Sequence, residues 1–214
     1  MELIKIFLNL IKKKRIFFRS LLKIKESELL FGTVARYDPQ KDHKNLLKAI
    51  SLIKNKNNYK FVLVGRGMDE NNKELNGLIK KYSLSNNIIL LGQRKDIDKV
   101  MCGIDFLVLP SSYGEAFPNV IIESLSVGTP VIATDVGDTK RIINKLGWVI
   151  PPKSPKKLSK AIESASKLKF NNLHEYNKIS LGAIKTVKEK YTLKIMCKNY
   201  QNLWEDILKF KKYS

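Results

Sequence analysis

Four cations in this sequence stand where strand-like runs give way to loops. They are Arg36 and Lys41, five residues apart, Arg66 between two glycines, and Arg94 after Gly92-Gln93. An arginine can grip two phosphate oxygens at once and a lysine acts as a point charge, so the set suits a diphosphate. Solvated surface cations are the plain alternative in a chain with 40 of them. Gly65-Arg66-Gly67 alone is weak, because it lacks the third glycine of a dinucleotide fingerprint. Two carboxylates, Glu115 and Glu123, lie eight residues apart with Phe117-Pro118-Asn119-Val120 between them. Proline at a helix start leaves the following amides, those of Asn119 and Val120, without intrahelical partners. That makes an anion site with a carboxylate on each side, and carboxylates accept hydrogen bonds from paired sugar hydroxyls. A sugar phosphate satisfies both halves. Taken singly, the two glutamates read as surface side chains, one stabilising a helix N-terminus.

The elements that must position these residues alternate between apolar runs and amphipathic stretches. Strands are predicted at Leu29–Val34, Lys60–Gly65, Asn87–Leu91, Asp105–Pro110, Pro130–Thr134 and Gly147–Ile150. Helices are predicted at Asn45–Lys54, Asn72–Tyr82, Asp96–Cys102, Pro118–Val127, Thr139–Lys145, Pro155–Leu168, Asn177–Lys190 and Thr192–Phe210. Near-continuous apolar strands between helices imply an α/β fold, a parallel sheet covered on both faces. In such a sheet, ligands sit beyond the carboxyl ends of the strands and at helix N-termini, where the cations and glutamates fall. The expected organisation is a basic segment at 1–27, a Rossmann-like domain at 28–170 and helices at 171–214.

Composition narrows the class further. Hydrophobic residues make up 43% of the 214, enough for a core, which excludes a disordered or fibrous chain. The formal charge of +20 attracts anions: nucleic acid, acidic membrane or phosphorylated small molecules. No nucleic-acid motif accompanies it, so nucleic acid is not an expected partner. Cys102, Cys197, His43 and His174 are too few and too scattered for a structural metal site. Asp96-Ile97-Asp98 imitates a metal-binding pair, but it opens a helix, and Asp96 reads as the N-cap. No metal ligand and no cofactor is therefore expected. No apolar run approaches the roughly 18 residues of a membrane span, and no small-residue cleavage site is present, so the expected location is cytoplasmic.

Residues 1–27 differ from the rest. Leu3, Ile4, Phe7, Leu8, Leu10 and Ile11 recur at helical spacing, followed by Lys12-Lys13-Lys14-Arg15 and Ile16-Phe17-Phe18. This basic amphipathic segment either lies on an anionic membrane surface or packs on the protein with its lysines in water. Ile195, Tyr200, Leu203, Trp204, Ile207, Leu208 and Phe210 give the final helix an apolar stripe. Leu3, Phe7, Phe17 and Phe18 could fold back to bury that stripe. Left uncovered, it would be an interaction surface.

The ordered motifs resemble the nucleotide-sugar half of GT-B, group 1 (family 4) retaining glycosyltransferases. Glu115 and Glu123 with the residues between them, and then Gly128-Thr129-Pro130-Val131-Ile132-Ala133-Thr134-Asp135-Val136-Gly137, carry the main likeness. Gly32-Thr33-Val34-Ala35-Arg36 with Lys41, Phe61–Gly65, Leu91–Ile97 and Trp148–Pro152 follow in family order. The resemblance implies that Arg36 and Lys41 neutralise a donor diphosphate, Glu123 holds ribose hydroxyls and Glu115 contacts the transferred sugar. It implies that the amides of Phe117, Asn119 and Val120 approach sugar and phosphate, and that the backbone near Arg94 meets the base. The catalytic set would be Glu115, Arg36 and Lys41. Fixed cations can offset the charge of the leaving diphosphate, so no divalent metal is required. The implied partners are a nucleotide sugar, a glycan or lipid-linked acceptor, and an acceptor-binding domain on another chain. The alternatives are a nucleotide-sugar-binding remnant without turnover and a nucleic-acid-binding protein.

Overall fold

The computed structural model describes residues 2–211, apart from the side chains of residues 3, 4, 210 and 211. Leu3 and Phe210, which the sequence places on apolar stripes, therefore lie outside the described side chains.

Six strands form one parallel sheet: β1 (Leu29–Val34), β2 (Tyr59–Val64), β3 (Ile88–Leu90), β4 (Phe106–Leu109), β5 (Val131–Thr134) and β6 (Gly147–Ile150). Their order is β3-β2-β1-β4-β5-β6, the doubly wound order in which the chain reverses direction beside β1. The strands are largely apolar along their length because alternate residues serve opposite faces. Phe31, Phe61, Leu63, Phe106 and Val108 join one core. Leu30, Val62, Val64, Leu107 and Leu109 join the other. The first core is an aromatic stack, with Phe31 ring centroids 4.8 Å from Phe61 and 5.4 Å from Phe106.

The helices are α1 (Glu2–Leu21), α2 (His43–Ser51), α3 (Lys73–Lys81), α4 (Ile97–Gly103), α5 (Asn119–Ser126), α6 (Thr139–Ile143), α7 (Pro155–Asn171), α8 (Leu173–Lys190) and α9 (Leu193–Lys211). α2, α3 and α7 cover the first core, while α1, α4, α5, α6 and most of α8 cover the second. Two starts come earlier than the spacing predicts, because side chains cap them. Asp42, in the left-handed region at φ 46°, accepts the Asn45 amide at 3.2 Å and opens α2 at His43. Asn172 accepts the Glu175 amide at 3.1 Å and opens α8 at Leu173.

α1 uses its two faces differently. Phe18 is fully buried, and a Cβ at Gly103 would come within 2.2 Å of its ring, so α1 sits directly on α4. Arg15 and Arg19 reach the buried carboxylate of Asp105 at 2.6 and 3.1 Å, and Lys14 reaches Asp98 at 2.6 Å. The opposite face stays exposed: Ile6, Leu10, Ile16, Phe17 and Leu21 among the apolar residues, and Lys5, Lys12 and Lys13 among the basic ones. The fold-back that the sequence left open as the alternative is not seen among the described residues. Phe18 meets α4 instead of α9, Phe7 and Phe17 stay exposed, and Tyr200, Leu203, Trp204, Ile207 and Leu208 of α9 remain exposed. Ile195 is half-buried and drops out of the exposed stripe.

Candidate donor-binding site

The carboxyl ends of β1, β2 and β3 open on a cleft of ≈ 350 Å³ lined by Val34, Ala35, Arg36, Val64, Gly65, Arg66, Gln93, Arg94 and Ile97. Three of the four sequence-predicted cations, Arg36, Arg66 and Arg94, therefore meet around one cavity. The loops pack tightly there: a Cβ at Gly65 (φ +143°) would lie 2.0 Å from the Ala35 carbonyl oxygen, so only glycine lets the two strand ends approach. Arg36 donates to Asp38 at 3.0 Å and to Gln40 at 3.4 Å. The Gln40 amide and the Arg36 guanidinium hold the Asp38 carboxyl below the usual carboxylate range. Arg94 donates twice to Asp96, at 2.9 and 2.8 Å, which lowers the Asp96 pKa as well. Arg66 is exposed and makes no ion pair among the described residues.

Lys41 departs from expectation. It lies outside the cleft lining and pairs with Glu115, which also accepts a hydrogen bond from Ser111 Oγ at 2.6 Å. Both partners are largely buried, with side-chain exposures of 14% for Lys41 and 8% for Glu115. Both bonds fall on Oε1 of Glu115. Two loops distant in sequence are sewn together here, because Gln40 Nε2 also donates to the Gly114 carbonyl at 2.9 Å and the Ser112 amide to the Gln40 carbonyl at 2.8 Å. The loop after β5 supports Glu115 from behind: the Asp138 amide donates to the Ala116 carbonyl at 3.0 Å, and Gly137 packs on the Glu115 carbonyl.

Pro118 is the N-cap residue of α5, and Ile121 is the first residue whose amide finds a carbonyl, that of Pro118 at 3.0 Å. The amides of Asn119 and Val120 precede it, as the proline implies. Glu123 is exposed in the second turn and its carboxylate has no partner among the described residues. Phe117 is partly exposed and tilts toward Tyr191 at 6.1 Å, and Val120 packs against the second core. None of Glu115, Phe117, Asn119, Val120 and Glu123 lines the cleft at β1–β3. The structure thus presents a cationic cleft and, joined to it through Gln40, a carboxylate-bearing loop ahead of α5.

The Asp96 reading needs correction. Asp96 occupies the N-cap position of α4 but makes no side-chain cap bond, since Arg94 takes both its oxygens. Asp98 is held by Lys14 of α1 at 2.6 Å. Among the described residues there is no cluster of three metal-ligating side chains. His43 is buried under Tyr37, ring to ring at 5.3 Å, and neither ring nitrogen has a partner among the described residues. Burial, with Lys41 adding to it, pushes its pKa down to about 4, so it is a neutral packing residue at physiological pH. Sequence reasoning gave Ser111 and Gln40 no role. Ser111 follows Pro110 at a strand end, the kind of position that marked the cations, which is the signal that could have found it.

A family model, "Glycosyl transferases group 1", matches residues 14–185, well over half of the chain. An uncharacterized glycosyltransferase of Methanocaldococcus jannaschii is 28% identical over 202 residues, covering 92% of this chain and 50% of that protein. The N-acetylgalactosamine-N,N'-diacetylbacillosaminyl-diphospho-undecaprenol 4-alpha-N-acetylgalactosaminyltransferase of Campylobacter jejuni is 32% identical over 130 residues, covering 61% of this chain and 34% of that enzyme. Among solved structures, Anabaena HepE in complex with UDP superposes with a TM-score of 0.79 at 22% identity, covering 92% of this chain and 55% of the other. The chain thus spans half or less of the length of these curated relatives. With its parallel sheet in GT-B form and the family match across residues 14–185, the chain belongs to the group 1 glycosyl transferase family.

Proposed function

We propose that this chain supplies the donor-binding part of a glycosyltransferase that moves a sugar from a nucleoside-diphosphate sugar onto a glycan or lipid-linked acceptor. The observation that carries this reading is the convergence of Arg36, Arg66 and Arg94 on one strand-end cleft, beside a loop that presents Glu115. Cleavage of a glycosyl–phosphate bond loads negative charge on the leaving diphosphate, and preorganised cations and helix amides stabilise that charge. The assigned site is Arg36, Lys41, Arg94, Glu115, Phe117, Asn119, Val120 and Glu123, with Arg66 added. HepE binds UDP, and the name of the Campylobacter relative specifies a lipid diphosphate acceptor, which supports both halves of the reading. Retention of configuration is what the motif resemblance implies. Metal independence is supported by Asp96 and Asp98, whose carboxylates are already held by Arg94 and Lys14. The uncovered apolar stripe of α9 supports a second, acceptor-binding Rossmann-like domain as its partner.

Calorimetric titration with a panel of nucleotide sugars and their parent nucleotides tests the reading. Binding should survive a strong chelator, and Glu123→Ala should weaken the nucleotide itself roughly tenfold or more, as loss of bonds to a charged group of about 1.5–3 kcal/mol would. Binding of none of them overturns the donor assignment, and loss restored by magnesium or manganese overturns metal independence. Sugar transfer by the purified chain without any second domain overturns the partner.

We further propose that the exposed face of α1 holds the protein on an anionic membrane surface, where a lipid-linked acceptor resides. Among the described residues no helix is long and apolar enough to cross a membrane, so the contact would be peripheral, at the cytoplasmic face. Lys14, Arg15 and Arg19 are engaged internally, which leaves Lys5, Lys12, Lys13, Lys23 and Lys25 of the eight basic residues in this segment. Each is worth about 1 kcal/mol near anionic lipid. Flotation with phosphatidylserine-containing vesicles should fall with added salt and with the change Lys12→Glu/Lys13→Glu, while neutral vesicles float little protein. Truncation at residue 27 would also uncover the Gly103 surface that Phe18 fills, so the point changes are the cleaner comparison. Equal flotation of wild type and Lys12→Glu/Lys13→Glu overturns the proposal.

A further inference from the structure

The pairing of Lys41 with Glu115 creates a conflict that the sequence did not show. Lys41 cannot serve a donor diphosphate and still be wholly the counter-ion of Glu115, because a bridging ammonium divides its charge between the two. A diphosphate offers more negative charge than one carboxylate, so a bound donor draws Lys41 toward itself. Glu115 would then be a nearly buried carboxylate with its cation drawn off, and such a group swings toward water unless hydrogen bonds hold it. The structure provides one. Ser111 is fully buried, so its hydroxyl has no water to turn to. It donates to Glu115 Oε1 at 2.6 Å, and an O–H bond to a charged carboxylate is among the stronger hydrogen bonds. The Ser111 backbone is itself anchored, since the buried Thr134 donates its hydroxyl to the Ser111 carbonyl at 2.5 Å. Because Lys41 and Ser111 share Oε1, the second oxygen of Glu115 has no hydrogen-bond partner among the described residues and can accept from a hydroxyl of the donor sugar.

We propose that Ser111 is a positioning residue: it keeps the Glu115 carboxylate in place when the donor diphosphate draws Lys41 away. The inference rests on the donor-binding reading above and adds a residue and an exchange of partners to it. Its effect is confined to ligands that carry a sugar, because only the sugar would touch Glu115.

The test is titration of UDP and UDP-glucose, GDP and GDP-mannose into the full chain and into Ser111→Ala, Ser111→Cys and Ser111→Thr. Cysteine keeps the volume of serine but donates weakly, and threonine keeps the hydroxyl. Thermal unfolding of each variant identifies any that fail to fold. For the donor that wild type binds best, Ser111→Ala and Ser111→Cys should lose affinity for the nucleotide sugar tenfold or more. Their affinity for the parent nucleoside diphosphate should stay within about threefold, and Ser111→Thr should restore the preference for the sugar form. A merely structural serine would instead lower both affinities together, or lower unfolding temperature alone. Equal losses for sugar and nucleotide in the folded Ser111→Cys variant, or no loss in either, overturn the inference while leaving the donor assignment standing. Failure of wild type to bind any of the four ligands overturns the donor reading, and Ser111's assigned role with it.

Discussion

Replacing Asp105 by alanine should cost this protein about 3–5 kcal/mol of folding stability, the range for removing one partner of a buried ion pair. Asp105 immediately precedes β4 and is 1% exposed. Its Oδ1 takes Arg15 at 2.6 Å, and its Oδ2 takes Arg19 at 3.1 Å and the Leu30 amide at 2.8 Å. Lys169 of α7 stands 3.8 Å away and packs over the Tyr176 ring, whose hydroxyl donates to the Asp105 carbonyl. One carboxylate therefore fastens α1, α7 and the first strand to the amino end of the sheet. Burial already pushes the Lys169 pKa down to about 8 against the pull of Asp105, so without the carboxylate this amine would lose its charge more readily. Alanine would leave the Arg15 and Arg19 guanidiniums without their counter-ion and the buried Leu30 amide without its side-chain acceptor. Asparagine, which keeps an acceptor for Leu30 but removes the charge, should fall between. Urea denaturation reads the effect as a lowered midpoint with an unchanged slope. Because Asp105 sits at the opposite end of β4 from the cleft, nucleotide affinity of the folded variant should not change. A loss under 1 kcal/mol, or an altered affinity, would show that this cluster does not act as the fastening described.

Asp105 also marks the boundary of what the sequence reveals. The six strands were legible because a parallel strand buried on both faces is apolar throughout, and β1 and β6 have the predicted limits. Helix starts set by side-chain caps, at Asp42 and Asn172, came earlier than apolar spacing indicates, since periodicity records burial and caps record hydrogen bonds. Strand order and the face on which α1 lies are long-range properties, carried by pairs such as Arg15–Asp105, 90 residues apart. The site divides in the same way. Residue types at strand ends pointed to Arg36, Arg66 and Arg94, which do share a cleft. Which charge pairs with which was not legible. Lys41 and Glu115, 74 residues apart, suggested separate tasks in the sequence and turn out to be each other's counter-ions. The exposed stripe of α9 was visible as a helical period, but what covers it depends on packing that no periodicity encodes.

Gly137→Ala should damage sugar recognition and stability together, from a position that touches no ligand. Gly137 has φ +58°, and a Cβ there would lie 1.8 Å from the Glu115 carbonyl oxygen and 2.8 Å from that of Ala116. The obstructing atoms are backbone, so the clash cannot be relieved by a rotamer change. Alanine in the left-handed region costs about 1–2 kcal/mol on its own. The remainder must be absorbed by moving the 115–116 segment away from the loop after β5. That displacement carries Glu115 away from Ser111 and Lys41, to which it is bonded. The expected result is a stability loss of about 2–4 kcal/mol, the conformational cost plus local strain of similar size. A tenfold or larger loss of affinity for the nucleotide sugar should accompany it, with a smaller loss for the free nucleotide. Gly77→Ala is the matched comparison. Gly77 lies inside α3 with nothing within 4 Å of its would-be Cβ, so alanine there should stabilise by about 0.5–1 kcal/mol through the entropy of the unfolded chain and leave both affinities alone. If Gly137→Ala folds as stably as wild type and keeps its preference for the sugar form, Glu115 is not held from behind by this loop. The role assigned to its backbone support would then be wrong.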